Sequence, residues 1–206
     1  MKLVVATRSA DKLAEIRRIL GGVPDLDVVD LNEAGVAPDP AEDDLEPYDT
    51  FEENALSKAR YFHARTGLPT VADDSGLAVD ALGGAPGVRS KRFAPDSGLT
   101  GVALDQANNR HLLRTLEGRG PEERGARYVC VAVLVGDGAD PVVCRGEARG
   151  RILEEPRGDG GFGYDPLFHD DELGKTFAQI SREEKNARSH RGKAFGALAR
   201  RLQEGR

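Results

Sequence analysis

The sequence predicts an α/β protein, and three observations carry that prediction. The chain opens with an apolar run, Leu3 to Ala6, followed by a polar turn and then by apolar residues at helical spacing, Leu13, Ile16, Ile19 and Leu20. Two later segments begin on capping boxes, Thr50 with Glu53 and Ser181 with Glu184. Between them lies a long β-run, Arg127 to Val135, with Gly136-Asp137-Gly138 as a turn and Val142 to Ile152 as its return strand. At 206 residues such a chain buries roughly 70% of the surface it exposes when unfolded, so neither disulfides nor a structural metal are needed. It is read as one domain over residues 1–206.

The elements follow in order. The first helix comes after the turn Thr7-Arg8-Ser9-Ala10-Asp11 and stops at Gly21-Gly22. A strand, a short polar loop and a helix N-terminus together present backbone N–H groups to an anion. Lys12, in the first helical turn, opposes the helix dipole, which is easier to explain if it faces a bound anion. A second strand, Val28 to Leu31, leads into an acidic, proline-containing loop that runs to Asp49. The helix capped by Thr50 buries Ala55, Leu56, Ala59 and Phe62 and ends at Gly67, while Glu52 and Glu53 complement its dipole. Leu68 to Ala72 forms a short strand that ends at Asp73-Asp74-Ser75-Gly76. Gly83 to Pro95 is a Gly/Pro loop with Arg89, Lys91 and Arg92, a mobile lid or a dimer contact. Leu104 to Leu116 is an amphipathic helix ended by Gly118. The last helix, beyond Ser181, carries Lys185, Arg188, His190 and Arg191 and then the apolar stripe Ala194, Leu198 and Leu202.

Several functions are excluded. A net charge of -6, four Tyr and no Trp argue against a nucleic-acid binder. No apolar run approaches the ~20 residues of a membrane helix, and Leu3 to Ala6 is no secretory core. A cytoplasmic location is expected, with Cys130 and Cys144 as reduced core residues of the paired β-strands. No His spacing matches a zinc site. Gly158, Gly160 and Gly163 spell a GxGxxG, but Pro166 follows where a dinucleotide-binding helix would continue. That stretch offers backbone free to approach a ligand, with Phe162 and Tyr164 available to stack on a flat ring.

The charges are uneven. Twelve Asp and Glu and no Lys or Arg lie between Asp25 and Glu53, whereas residues 181–206 carry eight Lys and Arg against three Glu. An acidic patch suits a hard cation and a basic one suits phosphates, although both also serve as solvated surfaces. Asp73-Asp74 is the sharpest signal. One Asp and the glycine satisfy a turn, and adjacent carboxylates repel, raising one proton affinity unless a cation neutralises them. Magnesium takes one or two carboxylates and leaves its other positions to water and phosphates.

Five motifs stand together in one order: Thr7 to Lys12, Thr50-Phe51-Glu52-Glu53-Asn54-Ala55, Ala72-Asp73-Asp74-Ser75-Gly76-Leu77, Gly160 to Pro166, and Ser189-His190-Arg191-Gly192. With them the sequence resembles the inosine/xanthosine triphosphate pyrophosphatase family over essentially its whole length. The resemblance implies a central elongated mixed β-sheet flanked by helices, two lobes around an active-site cleft, and a homodimer. It implies a substrate loop of Thr7, Arg8, Ser9, Ala10, Asp11 and Lys12, with Lys12 on the triphosphate. Asp74 is implied as general base and metal ligand, Glu46 as a second metal-associated carboxylate, and Asp73 as a third candidate. Ser75, Phe162, Gly163, Tyr164, Asp165 and Lys185 are implied as substrate contacts, and His190 and Arg191 as readers of the purine base. Ser9 stands where the family usually has Asn, and Tyr48 where it usually has Gly.

The expected activity is hydrolysis of non-standard purine nucleoside triphosphates (ITP, dITP, XTP) to the monophosphate and pyrophosphate, with Mg²⁺ as cofactor and Mn²⁺ as the alternative metal. A pyrophosphatase for other modified nucleotides and a non-catalytic nucleotide sensor are the competing expectations. No nucleic-acid or membrane partner is expected.

Overall fold

The structure is a computed structural model that describes residues 1–95, 98–138 and 140–204. Among the described residues seven strands form one mixed sheet in the order β2-β1-β3-β4-β5-β6-β7. They are β1 (Lys2–Val5), β2 (Asp27–Asp30), β3 (Thr70–Val79), β4 (Gly125–Val135), β5 (Val142–Ile152), β6 (Phe168–Asp170) and β7 (Lys175–Thr176). β1 pairs in parallel with β2 and β3, while β6 pairs antiparallel with β5 and β7. The helices are α1 (Ala10–Leu20), α2 (Phe51–Thr66), α3 (Gly101–Thr115), α4 (Arg182–Arg188) and α5 (His190–Glu204). This is the expected α/β class. Among the described residues no helix is long and apolar enough to cross a membrane.

The chain divides into two compact units. The first comprises Met1–Asp74, Cys130–Gly146 and His190–Arg206, and the second Ser75–Val129 and Glu147–Ser189. In the first, α1 and α5 lay Ile16, Leu20, Ala194, Phe195 and Leu198 on Leu3, Val5, Val71, Cys130, Ala132 and Cys144. The strand residues in that list alternate, Leu3 with Val5 and Cys130 with Ala132, as a period of two requires. Both cysteines are free thiols packed in this core, as expected. In the second unit, Leu112 and Leu116 of α3 pack with Leu77, Val79, Tyr128, Phe168 and Phe177. Arg124 is buried there, and its guanidinium donates to the carbonyls of Leu116, Ile152 and Leu153.

Four local expectations are corrected. β3 does not end at Ala72 but runs through both carboxylates to Val79. Gly76 allows this, because a Cβ there would lie 2.2 Å from the Gly87 carbonyl oxygen. The Gly/Pro segment is partly ordered into a short 3-10 turn, Gly87–Arg92. The helix after Ser181 is two helices, broken at Ser189, whose ψ of 158° is extended. At Thr50 the hydroxyl accepts from the Glu53 N–H, but the Glu53 carboxylate returns to that hydroxyl and not to the backbone. Ser181 and Glu184 make the full reciprocal box.

Gly146 of β5 sets how closely α5 approaches. A Cβ at this position would lie 2.2 Å from the His190 carbonyl oxygen and 2.5 Å from the Ala194 nitrogen, both backbone atoms that cannot swing aside. Gly146→Ala is expected to cost about 1–3 kcal/mol, in the range of overpacked cores. Thermal unfolding checks it, with roughly 2–4 °C lost per kcal/mol in a protein of this size. An unchanged midpoint would show that the first turn of α5 relaxes freely.

Candidate active site

Adjacent strand residues point to opposite faces of a sheet, and this decides how Asp73 and Asp74 differ. Asp73 shares its face with Val71, towards α1 and α5. Its Oδ2 lies 3.2 Å from Lys12 Nζ, 3.4 Å from an Arg191 Nη and 3.8 Å from Cys130 Sγ. Burial opposes its ionisation, but Lys12, Arg191 and Lys58 outweigh that and hold the carboxyl far below the usual range. Arg191, fully buried in the first turn of α5, also donates to Glu15 of α1 at 2.6 Å. Lys12, set against its own helix dipole, is thus matched by a protein carboxylate on the neighbouring strand.

Asp74 faces α2 instead. Asn54 Nδ2 donates to its Oδ2 at 3.0 Å. Burial pushes the Asp74 carboxyl up to about 6, with the Glu46 charge adding to the effect and Lys58, Lys12 and Asn54 opposing it. The repulsion expected between the two neighbouring aspartates is therefore not what raises Asp74. The two diverge because cations outweigh burial at Asp73, whereas at Asp74 burial and the Glu46 charge outweigh Lys58, Lys12 and Asn54.

Glu46 is ion-paired with Lys58 of α2. Burial opposes its ionisation, but Lys58 and then Lys12 bring its proton affinity below the usual value. Burial likewise opposes the charge on Lys58, and Glu46, Asp73 and Asp74 raise its proton affinity despite it. Asn54 clips the backbone beside Glu46, donating to the Tyr48 carbonyl at 3.1 Å and accepting from the Tyr48 N–H at 2.9 Å. The Tyr48 side chain is exposed, so its departure from the expected Gly leaves this anchor intact. Lys58→Met removes the cation opposing proton uptake at Asp74. The acid limb of any activity that needs ionised Asp74 is then expected to move to higher pH, as a pH–rate profile would show.

Sequence reasoning gave neither Asn54 nor Lys58 a role. A signal existed: they are four residues apart, hence on one face of α2, and Asn54 is buried among Ala55, Ala59 and Phe62. Of the first loop, Ser9 Oγ accepts from Lys12 N at 3.4 Å and caps α1, and Thr7 Oγ1 accepts from Ser9 N at 3.2 Å. Ala10 and Asp11 are exposed. Arg8 turns away onto the acidic loop, donating to Glu42 at 2.7 Å and to the Val36 carbonyl at 3.1 Å.

In the second unit, Ser75 follows in β3 and is half-buried. The glycine loop carries Phe162, Gly163, Tyr164 and Asp165. Buried Asp165 accepts from the Phe162 N–H at 2.9 Å and from Lys185 Nζ at 2.6 Å. The Lys185 ammonium also sits 4.5 Å from the centre of the Phe162 ring. Phe162 is half-buried. Tyr164 has no exposed ring to stack with, which corrects that part of the expectation. It is 4% exposed, belongs to the core, and donates to the Ser90 carbonyl at 2.7 Å. His190 is buried at the start of α5, in the first unit.

Among the described residues no three His, Cys, Asp or Glu side chains gather as a ready-made metal cage. The donor chemistry nevertheless suits a hard cation that uses few protein ligands. The Glu46 charge raises the cost of ionising Asp74, and a divalent cation between carboxylates relieves such repulsion.

The class defined by fold and site is a mixed α/β protein with two adjacent carboxylates shifted in opposite directions among lysines. The chain matches the Ham1 family over residues 3–201 and belongs to that family. It is 50% identical over 200 residues to a dITP/XTP pyrophosphatase of Halorhodospira halophila, covering 96% of this chain and 95% of that one. A dITP/XTP pyrophosphatase of Frankia alni is 49% identical, with 99% and 98% covered. A HAM1 protein from Coxiella burnetii superposes with a TM-score of 0.85 at 37% identity, over 99% of both chains.

Proposed function

We propose that this protein hydrolyses the α–β phosphoanhydride of non-standard purine nucleoside triphosphates, dITP, ITP and XTP, releasing the monophosphate and pyrophosphate. Family membership and near-full-length identity to dITP/XTP pyrophosphatases support the reaction. The observation that carries the mechanism is the opposite tuning of Asp73 and Asp74.

Asp74, with its affinity for a proton raised into the physiological range, is the general base that orients and deprotonates the attacking water. Asn54 holds the carboxylate in place by a hydrogen bond to its Oδ2. Asp73 stays ionised and holds Lys12 in place. Lys12 and Lys58 meet the negative charge of the phosphates, and preorganised cations of this kind stabilise charge that builds up in the transition state. Glu46 and Asp74 would hold Mg²⁺, or Mn²⁺; Asp73, the third candidate, is turned to Lys12 and Arg191 on the other face of the sheet. When bound, the cation neutralises phosphate oxygens and favours ionised Asp74.

Phe162 is assigned to the face of the purine and Lys185 to keeping the loop closed on Asp165. Hypoxanthine and xanthine carry a carbonyl at C6 where adenine carries an amine. Donors placed there reject adenine by leaving themselves unpaired, an effect that reaches roughly 10⁴ in favourable sites. His190, Arg191 and backbone N–H groups are the donors offered. The protein is assigned to the cytoplasm and to a homodimer, the latter checked by sedimentation equilibrium.

The test is product analysis with ITP, XTP, ATP and GTP, each with Mg²⁺ and again with EDTA. Pyrophosphate from ITP and XTP, little from ATP or GTP, and none with EDTA is the expected outcome. Orthophosphate in place of pyrophosphate would move the cut to the terminal phosphate. Nucleotide binding without any product would leave a sensor.

A further inference from the structure

The glycine loop is held from a direction that the sequence motifs do not reveal. Gly163, in the left-handed region with φ of 62°, has both of its backbone groups bound by α3. Its N–H donates to Asp105 Oδ2 at 2.9 Å, and its carbonyl accepts from Asn109 Nδ2 at 3.0 Å. Asp105 and Asn109 are four residues apart and share one face of the helix. A Cβ at Gly163 would meet nothing within 4 Å, so the glycine is required for its φ and not for space. One residue earlier the Phe162 N–H is tied to Asp165, which Lys185 holds in turn. The loop is thus clamped on both sides of the half-buried Phe162 ring. The Asn109 Oδ1 is buried and has no hydrogen-bond partner among the described residues, so its amide orientation is set by the Gly163 carbonyl alone.

We propose that Asp105 and Asn109 are positioning residues for the substrate base: they lock Gly163, and through it Phe162, in the geometry that stacks on the purine. This rests on the assignment of Phe162–Asp165 to the nucleoside. A loop left mobile must be ordered when substrate binds, and that cost falls on affinity. The clamp removes it in advance. It acts on the base and leaves the phosphates to Lys12 and Lys58, so binding of pyrophosphate alone is independent of it.

The experiment compares wild type with Asp105→Ala, Asn109→Ala and Asp105→Asn, using ITP as substrate and pyrophosphate as competitive inhibitor. Each alanine variant is expected to raise KM for ITP roughly five- to twentyfold, the scale of one lost hydrogen bond to a charged or buried group. kcat should fall far less, and the inhibition constant of pyrophosphate should stay within about twofold. Asp105→Asn keeps an acceptor for the Gly163 N–H and is expected to retain most of the wild-type KM. An unchanged KM in both alanine variants would overturn the proposal. So would parallel losses in kcat, KM and pyrophosphate inhibition, which mark general loosening of the fold. Wild type without ITP turnover would instead defeat the pyrophosphatase assignment. Amide exchange at Gly163 then decides the clamp, with equal rates in wild type and Asp105→Ala overturning it.

Discussion

Asp74→Asn is expected to lower turnover of ITP by about 10²–10⁴, the usual contribution of a general base, while nucleotide still binds. The same substitution is expected to make the metal-free protein more stable above pH 6. The sign follows from linkage. Asp74 binds its proton more tightly folded, at about 6, than a free Asp does, so the folded state is favoured where the proton is bound. That advantage fades as pH rises from about 4 to 6, and above 6 the fold carries a buried carboxylate whose ionisation costs about 3 kcal/mol at most. Asparagine carries no charge and keeps an oxygen for the Asn54 amide. Thermal unfolding in EDTA at pH 8 should therefore give a higher midpoint for the variant, with the gap closing towards pH 4. Added Mg²⁺ should raise the wild-type midpoint more than the variant's. A variant both inactive and less stable at pH 8 would show that Asp74 is a structural anion, and unchanged turnover would remove it from the mechanism.

The sequence made the class of fold legible because its elements carry local signals. The Thr50 and Ser181 caps, the Gly67 terminus and the strand limits Val142 and Ile152 all stand where spacing and composition put them. The misplaced features share a different cause. Asp73-Asp74-Ser75-Gly76 has the composition of a turn, yet the strand continues because its polar side chains find partners on both faces and Gly76 admits the Gly87 backbone. The partners of Asp73 come from residues 12 and 191, and no local pattern encodes contacts at that separation. Tyr164 looked like a stacking ring because aromatic character says nothing of which way a side chain turns. The break at Ser189 was masked by apolar spacing that runs on through Ala194 and Leu198, although serine in mid-pattern is a residue type favoured at helix starts.

Arg191 carries the second large expected effect, because its charge is buried between two acids. The side chain is 2% exposed, with Glu15 at 2.6 Å and Asp73 at 3.4 Å. Arg191→Met leaves both carboxylates short of a cation, and breaking such a buried pair typically costs about 3–5 kcal/mol. The loss should be partly restored by Glu15→Gln in the same chain, since Asp73 still has Lys12 while Glu15 no longer brings an uncompensated charge. This double variant separates two roles that the single one confounds. If Arg191 serves as a strut for Asp73, recovery of stability should bring back discrimination between ITP and ATP. If it reads the purine carbonyl, the double variant stays folded and still fails to discriminate, because methionine offers no donor. Unfolding midpoints fix the first quantity and the ratio of kcat/KM for ITP over ATP the second. A fold insensitive to Arg191→Met would show that Lys12 and Lys58 suffice for Asp73 and that Glu15 is neutral or solvated without its partner.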